Sequence, residues 1–229
     1  MSLIGQREGI EAGRLDAFVD GAFAFTLTLL LIGGSSIPDS TDKLLLMLGG
    51  IPAFAVCFFH IAFFWHGHVR WRRRCHEATT TGRWLSLLLV FFAMIFVYPL
   101  HMVFAGLFNG LSAGRLPSDF HLVGGAADMR TLFACYGLAY ACMAGTLTAL
   151  FGHAARRAGR AGFDTLGARR EMRVWSVPAV IGLASALVAL LLPLSAPGWM
   201  WALPGFMYAL LFLIGPVVSR FNRRYGQAA

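Results

Sequence analysis

The stretch Arg14-Leu-Asp-Ala-Phe18-Val-Asp20-Gly-Ala-Phe-Ala-Phe25-Thr-Leu-Thr28-Leu29-Leu-Leu-Ile32 decides how the rest of the chain is read. Beyond its first turn it is almost wholly apolar, and a helix needs about 20 such residues to cross the hydrocarbon of a bilayer. Beyond that turn a carboxylate, Asp20, is set well inside its first half. An ionisable group there is costly unless it has a partner or a path to water. The segment therefore implies either a buried polar network or an ion route.

Composition extends that reading to the whole chain. Of 229 residues, 58% are hydrophobic and 13% charged. Soluble domains are about half apolar and about a quarter charged, so the balance is that of a polytopic membrane protein. Six apolar runs of spanning length are found, near 15–33, 44–66, 84–108, 129–151, 174–194 and 199–219. They use most of the chain. The expectation is an all-α fold forming a single six-span membrane domain over 1–229. Residues 1–13 lack a basic stretch, a short apolar stretch and a small-residue cleavage site in series, so the first span is expected to be retained.

The net charge of +8 is distributed unevenly. Arg70, Arg72, Arg73, Arg74 and Arg83 fall between the second and third spans. Arg156, Arg157, Arg160, Arg169, Arg170 and Arg173 fall between the fourth and fifth, and Arg220, Arg223 and Arg224 follow the sixth. The opposite connections carry only Lys43, Arg115 and Arg130. This is the positive-inside pattern. It predicts a multi-pass protein of the cell membrane with both termini cytoplasmic. The arginines then read as topology signals and contacts to lipid headgroups, not as a nucleic-acid surface. Trp84, Trp175, Trp199 and Trp201 sit at predicted span ends, as interfacial anchors do. Cys57, Cys75, Cys135 and Cys142 form no CxxC pair, so neither zinc ligation nor a disulfide framework is indicated.

At about 100° per residue, Phe18, Phe25, Thr28, Leu29 and Ile32 fall close to one stripe of the first helix. Steps of three, four and seven suit a helix that packs around an axis. Gly21, Ala22 and Ala24 permit close approach of a neighbour. Asp20 lies more than about 120° from Phe25 on the wheel. If the stripe faces an axis, Asp20 faces its own subunit. The second span runs antiparallel to the first, so its inner end, Phe63-Phe-Trp-His-Gly-His-Val-Arg70, is level with Asp20. That end offers indole, imidazole and guanidinium donors, and a carboxylate accepting charge-assisted bonds is well satisfied.

The pattern Arg14-x-x-x-Phe18-x-Asp20-x-x-Phe23-Ala24-x-x-x-Thr28-Leu29-Leu30 resembles the signature of the transmembrane protein 175 family. Phe64-Trp65-x-x-His68 resembles that family's Trp/His element at the end of its second span. The resemblance covers the first third of the chain by motif and the remainder by layout. It implies a potassium-permeable cation channel, assembled as a homotetramer from single-repeat subunits, with the first helix lining the pore. Carried onto this chain, the constriction would fall on Phe25, Thr28 or Leu29, and Ile32. The supporting network would be Arg14, Asp20, Trp65 and His68. The family usually has Ser where this chain has Val19, which removes a hydroxyl from the network. It usually has Ile or Leu where this chain has Phe25, which puts a ring at the constriction.

No Thr-Val-Gly-Tyr-Gly filter occurs in the sequence. Selectivity would come from a narrow apolar constriction, and one subunit cannot build such a pore without cyclic closure. The partners implied are potassium ions, the lipid bilayer and further copies of the chain. The rival readings are a proton-leak pore, a secondary transporter, and a haem- or metal-binding membrane protein. Transporter folds usually carry internal repeats, whereas a single unit is found here. The predicted second to sixth spans contain no acidic residue. His60 and His101 differ in expected depth, and His66 and His68 point to different helix faces. No cofactor and no metal are therefore expected. The absence of HExxH and Walker-type loops argues against an enzyme.

Overall fold

The computed structural model describes residues 3–32, 38–75, 79–116, 125–161, 165–213 and 215, with side chains from residue 12 onward and except those of residues 32, 212 and 213. Its elements are α1 (Leu3–Ile32), α2 (Thr41–Gly49), α3 (Ile51–Arg72), α4 (Thr80–Leu111), α5 (Ala126–Arg160) and α6 (Leu166–Leu191). A 3-10 turn (Gly198–Ala202), the short α7 (Leu203–Phe206) and a second 3-10 stretch (Met207–Leu213) follow. Among the described residues there is no strand. Among the described residues four helices, α3 to α6, are long and apolar enough to cross a membrane.

The expected second span is two helices, not one. Gly50 closes α2 by donating its N–H to the carbonyls of Leu48 and Met47, and Pro52 occupies the first turn of α3. Proline is accommodated at a helix start because it lacks a donor that would have no partner there. The start of α2 is set by Ser40, whose hydroxyl accepts from the Lys43 amide, and by an Asp39–Lys43 ion pair of 2.8 Å. Leu44, Leu45, Leu46 and Leu48 all remain exposed on it.

The expected sixth span, 199–219, is also different. Over its described part the backbone is 3-10, then one turn of α-helix, then 3-10 again. Pro204 and Gly205 fall in that turn. Proline withholds a donor and glycine disfavours helix, so an uninterrupted α-helical ladder is weakened here. Residues 214 and 216–229, with Arg220, Arg223 and Arg224, lie outside the described residues.

The core forms around α5, which lies against α3, α4 and α6. Its rings make one cluster: Phe64 packs edge-on to Tyr140 and to Phe96, and Tyr136 and Tyr140 both meet Tyr208 edge-on. Such geometry suits the aromatic quadrupole. Trp175 and Trp201, expected at the membrane interface, are buried in the core. Trp175 packs on Phe63 and Phe64 with ring centroids 4.8 and 5.6 Å away. Trp84 and Trp199 remain exposed.

Helices α5 and α6 approach most closely where Gly137 faces Gly182. A methyl group on Gly137 would lie 2.7 Å from the Gly182 carbonyl oxygen, and one on Gly182 would lie 2.8 Å from that of Gly137. Ala141 and Ala186 follow each glycine by four residues, the spacing by which small residues let membrane helices touch backbone to backbone. This contact places α6 against α5, while α1 is left to pack on α3 and α4.

Candidate functional site

Helix α1 has two contrasting faces. Val19, Phe23, Thr26 and Leu30 are buried against the core. The Thr26 hydroxyl donates to the Ala22 carbonyl at 2.8 Å, so a polar group enters the apolar interface already satisfied. On the other face Phe18 is 56% exposed and Phe25 52% exposed, which leaves most of each ring uncovered by its own subunit. Thr28 is exposed on that face and Leu29 half-buried beside it. The Thr28 hydroxyl donates back to the Ala24 carbonyl at 3.1 Å. Ile32 ends α1, and its side chain lies outside the described residues.

Two polar rungs hold α1 to α3. The Trp65 indole N–H donates to Asp20 Oδ1 at 2.7 Å. The Arg72 guanidinium donates from Nε to Asp16 Oδ1, also at 2.7 Å. The helices run antiparallel, so the lower carboxylate meets the later residue. Asp16 and Asp20 are about 6 Å apart along their helix, and Trp65 and Arg72 about 10 Å along theirs. The long arginine side chain makes up the difference. Arg72 is itself held by an Nη1 bond of 2.6 Å to the Cys75 carbonyl. It also lies 5.5 Å from the centre of the Trp71 ring, in cation–π range.

His68 takes a different part from the one its spacing suggests. It is buried, and its Nε2 lies 2.9 Å from Ser86 Oγ on α4. The Ser86 hydroxyl donates to the Gly82 carbonyl at 2.9 Å, so the imidazole N–H donates to the serine oxygen. His68 thus ties α3 to α4, while Trp65 ties α3 to α1. Arg14 is exposed, and it is Arg72 that forms an ion pair with α1, through Asp16. His66 is exposed, two residues from buried His68. The His60 Nδ1–H donates to the Val56 carbonyl at 3.1 Å, and its ring packs on Phe104. Among the described residues no three His, Cys, Asp or Glu side chains group to hold a metal ion.

Asp16, Ser86 and Glu171 are the polar residues that the sequence reading did not single out. Asp16 stands one turn before Asp20, and that i,i+4 spacing was a usable signal. Ser86 carries no such signal, because its partner is 18 residues away in sequence. Glu171 corrects the expectation that the later spans hold no carboxylate. Helix α6 begins at Leu166, well before the apolar run near 174, and brings Glu171 in buried and paired with Arg70.

Residues 14–98 match the family model described as endosomal/lysosomal potassium channel TMEM175. A protein of Marivirga tractuosa named "Potassium channel" is 26% identical over 134 residues, which is 57% of this chain and 54% of that protein. The match thus spans about half the length of that relative. The fold is similar to the crystal structure of a single-residue variant of the potassium channel MtTMEM175 in complex with a nanobody–MBP fusion, with a TM-score of 0.76 over 93% of each chain at 21% identity. The family's pattern is thus matched over residues 14–98, and nearly the whole chain has the fold of the solved MtTMEM175 channel.

Proposed function

We propose that this chain is one subunit of a potassium-permeable cation channel of the cell membrane, a homotetramer whose pore is lined by α1. The observation that carries this reading is the division of labour on α1. One face is tied to α3 through Asp16 and Asp20, and the opposite face leaves Phe18, Phe25 and Thr28 exposed. A helix oriented this firmly with an apolar face still uncovered suits closed cyclic assembly, in which each copy covers its neighbours. Phe25, Thr28, Leu29 and Ile32 are then the constriction residues. Four rings at one level make a narrow apolar gate that closes by dewetting.

In this reading Asp20 and Trp65 orient the pore helix and do not touch the ion. Asp16 with Arg72, and His68 with Ser86, extend the same support to the ends of α3 and α4. Arg14 sits at the mouth. The arginine-rich connections support cytoplasmic termini by the positive-inside rule, and in the six-span layout residues 199–219 are the last crossing. The relative and the solved structure named as potassium channels support the choice of ion. The test is potassium and rubidium flux into liposomes holding the purified protein, together with the mass of the detergent-solubilised oligomer. Flux above that of empty vesicles and a mass of four subunits are expected. No flux over a range of voltages and pH values, or a monomer under conditions that preserve the fold, would overturn the reading.

A further inference from the structure

The arginine-rich end of the bundle holds an arrangement that ion permeation does not use. Glu171, in the second turn of α6, is buried. Its Oε1 accepts from Arg70 Nη2 and lies 3.4 Å from Arg74 Nη1, while its Oε2 is buried with no hydrogen-bond partner. The two arginine side chains stay 43% and 37% exposed, so each guanidinium is held from inside and open from outside. Arg74 also lies 6.0 Å from the Phe151 ring centre, which supports it from beneath. Gly167, one turn before Glu171, leaves room beside it: a methyl group there would come within 3.6 Å of Arg74 Nε. Arg73, Arg169 and Arg170 are exposed around the same place.

The chemistry follows from this geometry. Each guanidinium has five N–H donors, and the two contacts to Glu171 occupy one apiece. Two arginines share a single carboxylate, and Arg73, Arg169 and Arg170 adjoin them in sequence, so the shelf is strongly positive. Its two walls, the end of α3 and the start of α6, belong to helices long and apolar enough to span a bilayer. The shelf therefore lies at the level of lipid headgroups. Planar guanidinium forks match the oxygens of a phosphate, and basic pockets between membrane helices suit anionic headgroups. We infer that the α3–α6 shelf built on Arg70, Arg74 and Glu171 is a binding site for the phosphate of an anionic phospholipid. Arg74, whose contact to Glu171 is the longer, is the principal phosphate ligand. Glu171 keeps both guanidiniums in place when no lipid is bound and competes with the lipid when one arrives.

The test is native mass spectrometry of the full chain in detergent, with phosphatidylglycerol or phosphatidylcholine added. Phosphatidylglycerol is expected to be retained and phosphatidylcholine not. Arg74→Gln lowers retention about five-fold, the effect of one basic residue at a membrane surface. Glu171→Gln raises it, because the arginines lose their internal competitor. Gly167→Leu lowers it by filling the space beside Arg74, and serves as a second variant if Glu171→Gln does not fold. Arg115→Gln, beyond the far end of α4, leaves it unchanged. Equal losses for Arg74→Gln and Arg115→Gln would overturn the site. A fall in retention on Glu171→Gln would overturn the competitor role. Displacement of the lipid by an equal concentration of inorganic phosphate would assign the shelf to a soluble anion and overturn the lipid.

Discussion

Replacing Trp65 with Phe keeps an aromatic ring on α3 but removes the fused pyrrole ring and with it the indole N–H that reaches Asp20 at 2.7 Å. A hydrogen bond to an ionised group contributes about 1.5–3 kcal/mol. Trp65 is 37% exposed in the isolated subunit, so water replaces part of the lost bond and the low end applies there. For a chain of this size, about 1.5 kcal/mol shifts the thermal midpoint by roughly 3–6 °C. Asp20→Asn should cost a comparable amount, because a neutral amide oxygen accepts more weakly than a carboxylate. The double variant should cost little more than either single change, giving a coupling of about 1 kcal/mol or more. Thermal unfolding of the four proteins in one detergent measures the cycle. Additive single effects, with coupling below about 0.3 kcal/mol, would show that the Trp65–Asp20 bond does not hold α1 and would remove the argument for its orientation.

Other substitutions test the remaining links. Phe25→Ala removes the exposed ring proposed as the constriction, and ion flux into liposomes should rise; unchanged flux would move the gate along α1. Gly182→Val puts a side chain where even a methyl group meets a backbone oxygen at 2.8 Å, so α5 and α6 must separate; loss of folded protein on size-exclusion chromatography is expected, whereas a normal yield would refute the contact. Ser86→Ala leaves the buried His68 N–H without its acceptor and should destabilise by about 1–3 kcal/mol, read as a lower thermal midpoint, while Ser86→Thr, which keeps the hydroxyl, should recover most of it.

Periodicity was sufficient to separate the two faces of α1. The apolar run around Phe25 repeats at helical spacing, and Asp20 falls outside that stripe, so the direction of the carboxylate toward the second span followed from angle and depth alone. The Trp65 donor was legible for the same reason, since two antiparallel helices of known polarity bring a short list of residues to one level. His68 was not. It lies on the same turn as the residues that meet α1, and only the position of α4 decides that its imidazole meets Ser86. The same limit explains Trp175 and Trp201. Their place near span ends suits an interfacial anchor, but burial depends on which neighbours close over them: Phe63 and Phe64 pack on Trp175, and the turn holding Trp201 lies against α5.

What the sequence by itself determined is the class of molecule: a helical membrane chain with an arginine bias, a charged motif in its first helix and a match to the TMEM175 family pattern over residues 14–98. These are properties of composition and of short spacings, which hold whatever the helices pack against. Only the tertiary structure decided that α2 and α3 are separate helices and that the described part of 199–219 is not one continuous α-helix. It alone paired Asp16 with Arg72, and brought Glu171 into the core between two arginines. Each of these depends on contacts between residues far apart in the chain, or on whether surrounding packing compensates a proline and a glycine. Local propensity marks the proline and the glycine but does not decide the outcome.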